Sequence, residues 1–145
     1  MVYSKSGTTV VAAMVEGRGA IIEGALYWAP VSGVIEARYL TAVLNSQALM
    51  TMVAKYQATG LFGARHIDKN LFNAPIPEFD GDNKVHHELA NLAELAEQRA
   101  RDVVNARPAT AGFQAVRRLV RASLENAGLS AQIDQLVLRV LAPVT

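Results

Sequence analysis

Cysteine is absent from the 145 residues. No disulfide framework and no thiolate metal site can therefore be built. That usage fits a reducing compartment, and the cytoplasm is the expected location. No uninterrupted apolar run approaches the ~20 residues needed to cross a bilayer, so no membrane contact is expected. Met1-Val2-Tyr3-Ser4-Lys5-Ser6-Gly7 lacks the apolar stretch of a signal peptide. An excess of one charge is also missing, because 14 Lys and Arg face 13 Asp and Glu. Residues 1–82 carry six basic against seven acidic side chains, and residues 83–145 carry eight against six. Neither part is a basic arm that would hold nucleic acid by charge alone.

Apolar residues are plentiful at 51%, enough for a sizeable core and too many for a disordered chain. Val10 to Val15 is a short apolar run with β-branched residues. Gly17-Arg18-Gly19 reads as a turn, and Ala20–Glu23 and Ala25–Ala29 read as further short strands around Gly24. Ser32 or Gly33 starts a helix with Glu36 in its first turn, where a carboxylate suits the positive end of the dipole. Leu40, Val43, Leu44, Ala48, Leu49, Met52 and Val53 keep helical spacing, and Asn45-Ser46 is a candidate break.

Pro75 and Pro77 force extended backbone on Ala74 and Ile76, compatible with an edge strand. From Lys84 to Ala106 an apolar stripe (Val85, Leu89, Leu92, Ala96, Ala100, Val103) predicts one long helix. Pro108 separates it from a second helix through Phe113, Val116, Val120 and Leu124, ending at Gly128. Ser130 is the expected cap of a third, which ends before Pro143. The expected fold is α+β. A few short strands packed with helices occupy residues 1–82, and a C-terminal helical segment of two or three helices occupies 83–145, the two packed as one unit.

Gly60-Leu61-Phe62-Gly63-Ala64-Arg65-His66 is a candidate DNA-contact loop. Its glycines permit close backbone approach, Arg65 suits a phosphate or the O6/N7 edge of guanine, and His66 and Lys69 add donors. Lys5 and Ser6, beside Gly7 and Thr8, are candidate phosphate contacts. The structural alternative is a plain turn at each place, the N-terminal one feeding the first strand. Arg117, Arg118 and Arg121 would either track a phosphate backbone or form a solvated face. Tyr27-Trp28 would either stack on bases or join the core. His86-His87-Glu88 does not make a metal site, because adjacent helical residues point in different directions. No Gly-x-Ser-x-Gly elbow marks a hydrolase. No catalytic residue and no metal ligand is assigned.

Five pieces come in a telling order: Ser6-Gly7-Thr8; Leu26-Tyr27-Trp28; Tyr39-Leu40 with Leu44-Asn45-Ser46; Arg65-His66-Ile67; and Pro75-Ile76-Pro77. Together they resemble the C-terminal target-recognition region of bacterial adenine-N6 DNA methyltransferases and restriction-modification enzymes. The likeness spans roughly Tyr3 to Asp102 and is weaker beyond. It implies a non-catalytic domain that reads double-stranded DNA beside a methyltransferase domain, with S-adenosylmethionine bound by the parent protein and no cofactor in this chain. The full enzymes carry an Asn/Asp/Ser-Pro-Pro-aromatic motif. Here the five prolines stand at 30, 75, 77, 108 and 143, with no two adjacent, and no glycine-rich nucleotide loop is present. The chain thus reads as part of a larger enzyme. The alternative is a helical assembly module that docks a partner domain or a second copy and never touches DNA.

Overall fold

The computed structural model describes residues 1–5, 9–17, 19–54, 59–60, 63–64 and 71–142. The architecture is α+β, with small antiparallel sheets first and a helical C-terminal part. A three-stranded antiparallel sheet has the order β2-β1-β3, from β1 (Val2–Ser4), β2 (Ala12–Ala13) and β3 (Leu26–Trp28). Tyr3 sits opposite Ala12 on one side and Tyr27 on the other.

The central strand is one that local sequence pattern misses. Conversely, residues 20–23 form no strand, and Ile21 stands 97% exposed. A short β-rich run becomes a strand only if a partner edge reaches it. Here that edge is supplied by the N-terminus, whose Val2 and Tyr3 are buried.

Helix α1 (Val34–Asn45) and helix α2 (Gln47–Ala54) are separated at Ser46. The Ser46 hydroxyl donates to the Val43 carbonyl at 2.7 Å and accepts from the Leu49 amide at 3.1 Å, so one side chain ends one helix and begins the next. The Ala48 amide donates to Asp134 Oδ1 at 3.0 Å, which places a carboxylate at the positive end of α2. A second ladder, β4 (Thr59–Gly60) with β5 (Gly63–Ala64), sets Gly60 opposite Gly63. A 3₁₀ turn at Leu71–Asn73 follows. Residues 75–80 then run outside both sheets, so Pro75 and Pro77 sit in an unpaired strap rather than an edge strand.

Asn83 caps helix α3 (Lys84–Ala106) by accepting from the Val85 amide at 2.9 Å. Its 23 residues span about 35 Å. Leu89, Ala90, Leu92 and Ala93 are buried against α1 and the later helices, and the Arg38–Glu94 ion pair (2.8 Å) adds a tie to α1. Beyond Ala96 the helix is at most half-buried. Helix α4 (Phe113–Asn126) has no fully buried residue, and Phe113, expected on its apolar stripe, lies 73% exposed at the first turn.

Gly128, at φ +70, is both the exit from α4 and the entry to helix α5 (Leu129–Val140). That left-handed corner leaves no spare residue before the next turn, so Ser130 lies inside α5 and is not its cap. A single apolar cluster joins the pieces. Its most enclosed large side chains are Tyr39, Val43, Leu49, Val53, Leu89 and Val137, drawn from both sides of residue 82. Among the described residues, no helix is long and apolar enough to cross a membrane.

Candidate nucleic-acid interface

The segment expected to contact DNA is flanked in sequence by buried residues on both sides. Val53, near the end of α2, is fully enclosed, and Leu71, at the start of the 3₁₀ turn, is 3% exposed. Between them Gly60 and Gly63 face each other across the β4–β5 ladder. Arg65, His66 and Lys69 lie outside the described residues, as does Ser6.

Lys5 follows β1, and its amide donates to the Ala25 carbonyl at 3.3 Å. It therefore leaves the first strand rather than feeding it, since the first strand turned out to be Val2–Ser4. The Lys5 ammonium sits 4.5 Å from the centroid of the Tyr27 ring, which itself packs 5.4 Å from Tyr3. The cation is thus parked on an aromatic face at the sheet.

Neighbouring strand residues point to opposite faces, and Tyr27 and Trp28 divide accordingly. Tyr27 packs against the core, whereas Trp28 is 64% exposed and borders an open groove of about 340 Å³ with Val15, Gly17, Gly19 and Ile22. Of this aromatic pair, Tyr27 joins the core and Trp28 does not.

The two histidines at the start of α3 have separate structural roles. His86 is buried; its Nδ1 accepts from the Asp80 amide at 3.0 Å, and its ring lies 4.4 Å from that of Tyr39. Burial pushes the His86 pKa below its ordinary value, against a smaller opposing pull from Asp80 and with a small further push from His87. The neutral ring is the form that keeps Nδ1 free to accept. His87 Nε2–H donates to the Gly81 carbonyl at 2.7 Å. Among the described residues, no cluster of three or more His, Asp or Glu side chains comes together to hold a metal.

Asn45 is the residue whose role local pattern did not show. Its Oδ1 accepts from the Ala12 amide at 2.9 Å and its Nδ2 donates to the Ala12 carbonyl at 2.8 Å. One side-chain amide therefore occupies the outer edge of β2 as another strand would, and closes a sheet edge that would otherwise invite pairing. The only sequence cue is an amide at the last residue of a helix next to a short strand.

Asn45→Ala is expected to cost about 1–2 kcal/mol, from two hydrogen bonds at a site water can reach. Urea denaturation measures it, and a loss under about 0.5 kcal/mol would mean that solvent replaces the clamp fully.

Arg117, Arg118 and Arg121 all stand on α4. Arg118 and Arg121 are exposed, and the Arg117 guanidinium lies 5.6 Å from the Phe113 ring centroid. The pieces that suggested a recognition domain thus include structural joints. Asn45 holds a sheet edge, Ser46 caps α2, and the Tyr39 hydroxyl donates to the Pro77 carbonyl at 3.0 Å. Comparison with protein-family models, curated proteins and solved structures returns no significant match to the chain.

Proposed function

We propose that this chain is a non-catalytic target-recognition domain of a bacterial adenine-N6 DNA methyltransferase or restriction-modification protein acting in the cytoplasm. It would grip double-stranded DNA for a methyltransferase domain housed elsewhere in the parent. The observation that supports this most is that Tyr39, Asn45, Ser46 and Pro77 all serve as structural joints. These residues carry the resemblance, and each makes a structural contact: Tyr39 with Pro77, Asn45 with Ala12, and Ser46 with Leu49. The described residues flanking the segment that bears Arg65, His66 and Lys69 include the buried Val53 and Leu71, and recognition loops are commonly carried on such rigid supports.

In this reading phosphate contacts set the register of the duplex, and the 60–69 segment offers side chains to a groove. The target adenine would be flipped into a pocket of the parent. S-adenosylmethionine belongs to that parent domain. Here Gly17 and Gly19, at φ 127 and 95, sit in a loop that leads into no helix, which does not fit a nucleotide cradle.

The test is fluorescence anisotropy of this chain with duplexes of varied sequence at two salt concentrations. The expected result is binding that weakens steeply between ~50 and ~200 mM salt. Arg65→Ala should lower affinity for the preferred sequence by roughly tenfold or more. Unchanged affinity and unchanged sequence preference in that variant, with its circular dichroism intact, would reject the role of Arg65.

One observation favours a second reading. Leu95, Phe113, Leu119 and Leu138 are exposed on the C-terminal helices, as an assembly surface requires. Concentration-dependent self-association without duplex binding would select that alternative.

A further inference from the structure

The near-neutral net charge of the chain hides a strong separation. Residues 99–126 contain six arginines (Arg99, Arg101, Arg107, Arg117, Arg118, Arg121) against Asp102 and Glu125, a local balance of +4. With the whole chain at +1, the remainder carries −3. All eight charges fall on the second half of α3, on α4 or on the link between them.

The two helices form a hairpin whose register is set by Arg99, whose Nε donates to Ser123 Oγ at 2.8 Å. The C-terminal half of α3, the part that escapes the core, is thereby laid beside α4, so the basic residues of both helices belong to one hairpin. Among the described residues the two ion pairs are Arg38–Glu94 and Arg101–Glu97. Neither engages Arg99, Arg107, Arg117, Arg118 or Arg121. Asp102 takes the amide of Gln98 at 3.0 Å instead of an arginine. Arg118 and Arg121, three residues apart on a helix, share an exposed face.

We infer that the α3–α4 hairpin is a second DNA contact, a rail for the phosphate backbone separate from the 60–69 segment. This rests on the function proposed above and adds a site to it. The occupant is a polyanion because the face offers guanidinium groups without carboxylate partners. Fourteen residues of α4 extend about 21 Å, roughly six base-pair steps of 3.4 Å, so several phosphates fall within reach. Such contacts set position and affinity but carry no base preference.

The experiment is salt-dependent duplex binding by the full chain and by R117Q/R118Q/R121Q. The triple variant should show a plot of log affinity against log salt shallower by about 2 to 3. Its affinity should fall at least about tenfold, equally for all sequences. The single variant R118Q, which disturbs the surface least, should lose about 0.9 of slope and serves if the triple variant does not fold. Lys84→Gln, at the opposite end of the long helix, should leave the slope unchanged. A triple variant that folds and keeps the parental slope overturns the rail and leaves the recognition function standing. Absence of any duplex binding by the parental chain at ~50 mM salt overturns both. Arginine-dependent binding of polyglutamate without duplex binding overturns the rail in favour of an acidic protein partner.

Discussion

Leu89→Ala is expected to destabilise the protein by about 3 kcal/mol, within the range of 2–5 for deleting an enclosed leucine side chain. Leu89 has no exposed surface and lies on the part of α3 that packs on α1. Its removal takes away apolar burial and leaves a cavity whose walls belong to several helices, which limits collapse. A domain of this size is stable by only ~5–15 kcal/mol, so the variant loses a large share of its margin. Trp28, the single tryptophan, stands on β3 and reports the sheet, while far-ultraviolet circular dichroism reports the helices. Because one apolar cluster links residues before and after 82, both signals should change at the same urea concentration in the parent and the variant. A loss below about 1 kcal/mol would show that the site repacks around the missing side chain. Separate midpoints for the two signals would show that the sheet and helices unfold independently.

Tyr39→Ala is expected to cost about 3–5 kcal/mol, the range for truncating a buried aromatic. Tyr39 is fully enclosed, packs on the rings of His86 (4.4 Å) and Phe79 (5.6 Å), and hydrogen-bonds the strap at Pro77. Tyr39→Phe keeps the ring and removes only the hydroxyl, at roughly 1 kcal/mol.

The phenylalanine variant also separates a pH effect from packing. Burial pushes the Tyr39 pKa up to about 12 from the ordinary 10. The folded state therefore holds the proton more tightly than the unfolded state does. The associated stability is complete below pH 10 and is lost as pH rises from 10 through 12. Subtracting the Tyr39→Phe stability curve from the parental one isolates this loss from the other tyrosines and lysines. Urea midpoints at pH 8, 10 and 11 suffice. Parallel curves for the two proteins across that window would mean that Tyr39 ionises as freely in the folded chain as in the unfolded one.

Helices were the legible part of this protein. Each of the three C-terminal helices repeats apolar residues at three- and four-residue spacing. Their ends are marked by residues with their own chemistry: Asn83 accepts the Val85 amide, and Gly128 takes a left-handed corner. Where the structure departs from local expectation, the cause is non-local. Ser130 looked like a cap until the corner at Gly128 placed it inside α5. The central strand Val2–Ser4 carries too short a pattern to stand out and exists through its two neighbours. The candidate interface divides in the same way. Glycines at 60 and 63 were readable as a turn signal, and they do face each other across a ladder. Asn45 gave no sign that its amide would serve as a strand, because that requires Ala12 to arrive 33 residues away in sequence.

Local chemistry alone thus determined the helical segments, the break at Asn45-Ser46, the extended backbone at Pro75 and Pro77, and the exclusion of disulfide and thiolate chemistry. Only tertiary structure decided which short segments pair, that Trp28 faces outward while Tyr27 packs inward, and that the arginine-bearing second half of α3 lies beside α4. The physical reason is one of range. Helical hydrogen bonds and caps close within about four residues and leave their mark in the local pattern. A strand edge or a charged face needs partners from distant parts of the chain, which only the packed core brings together.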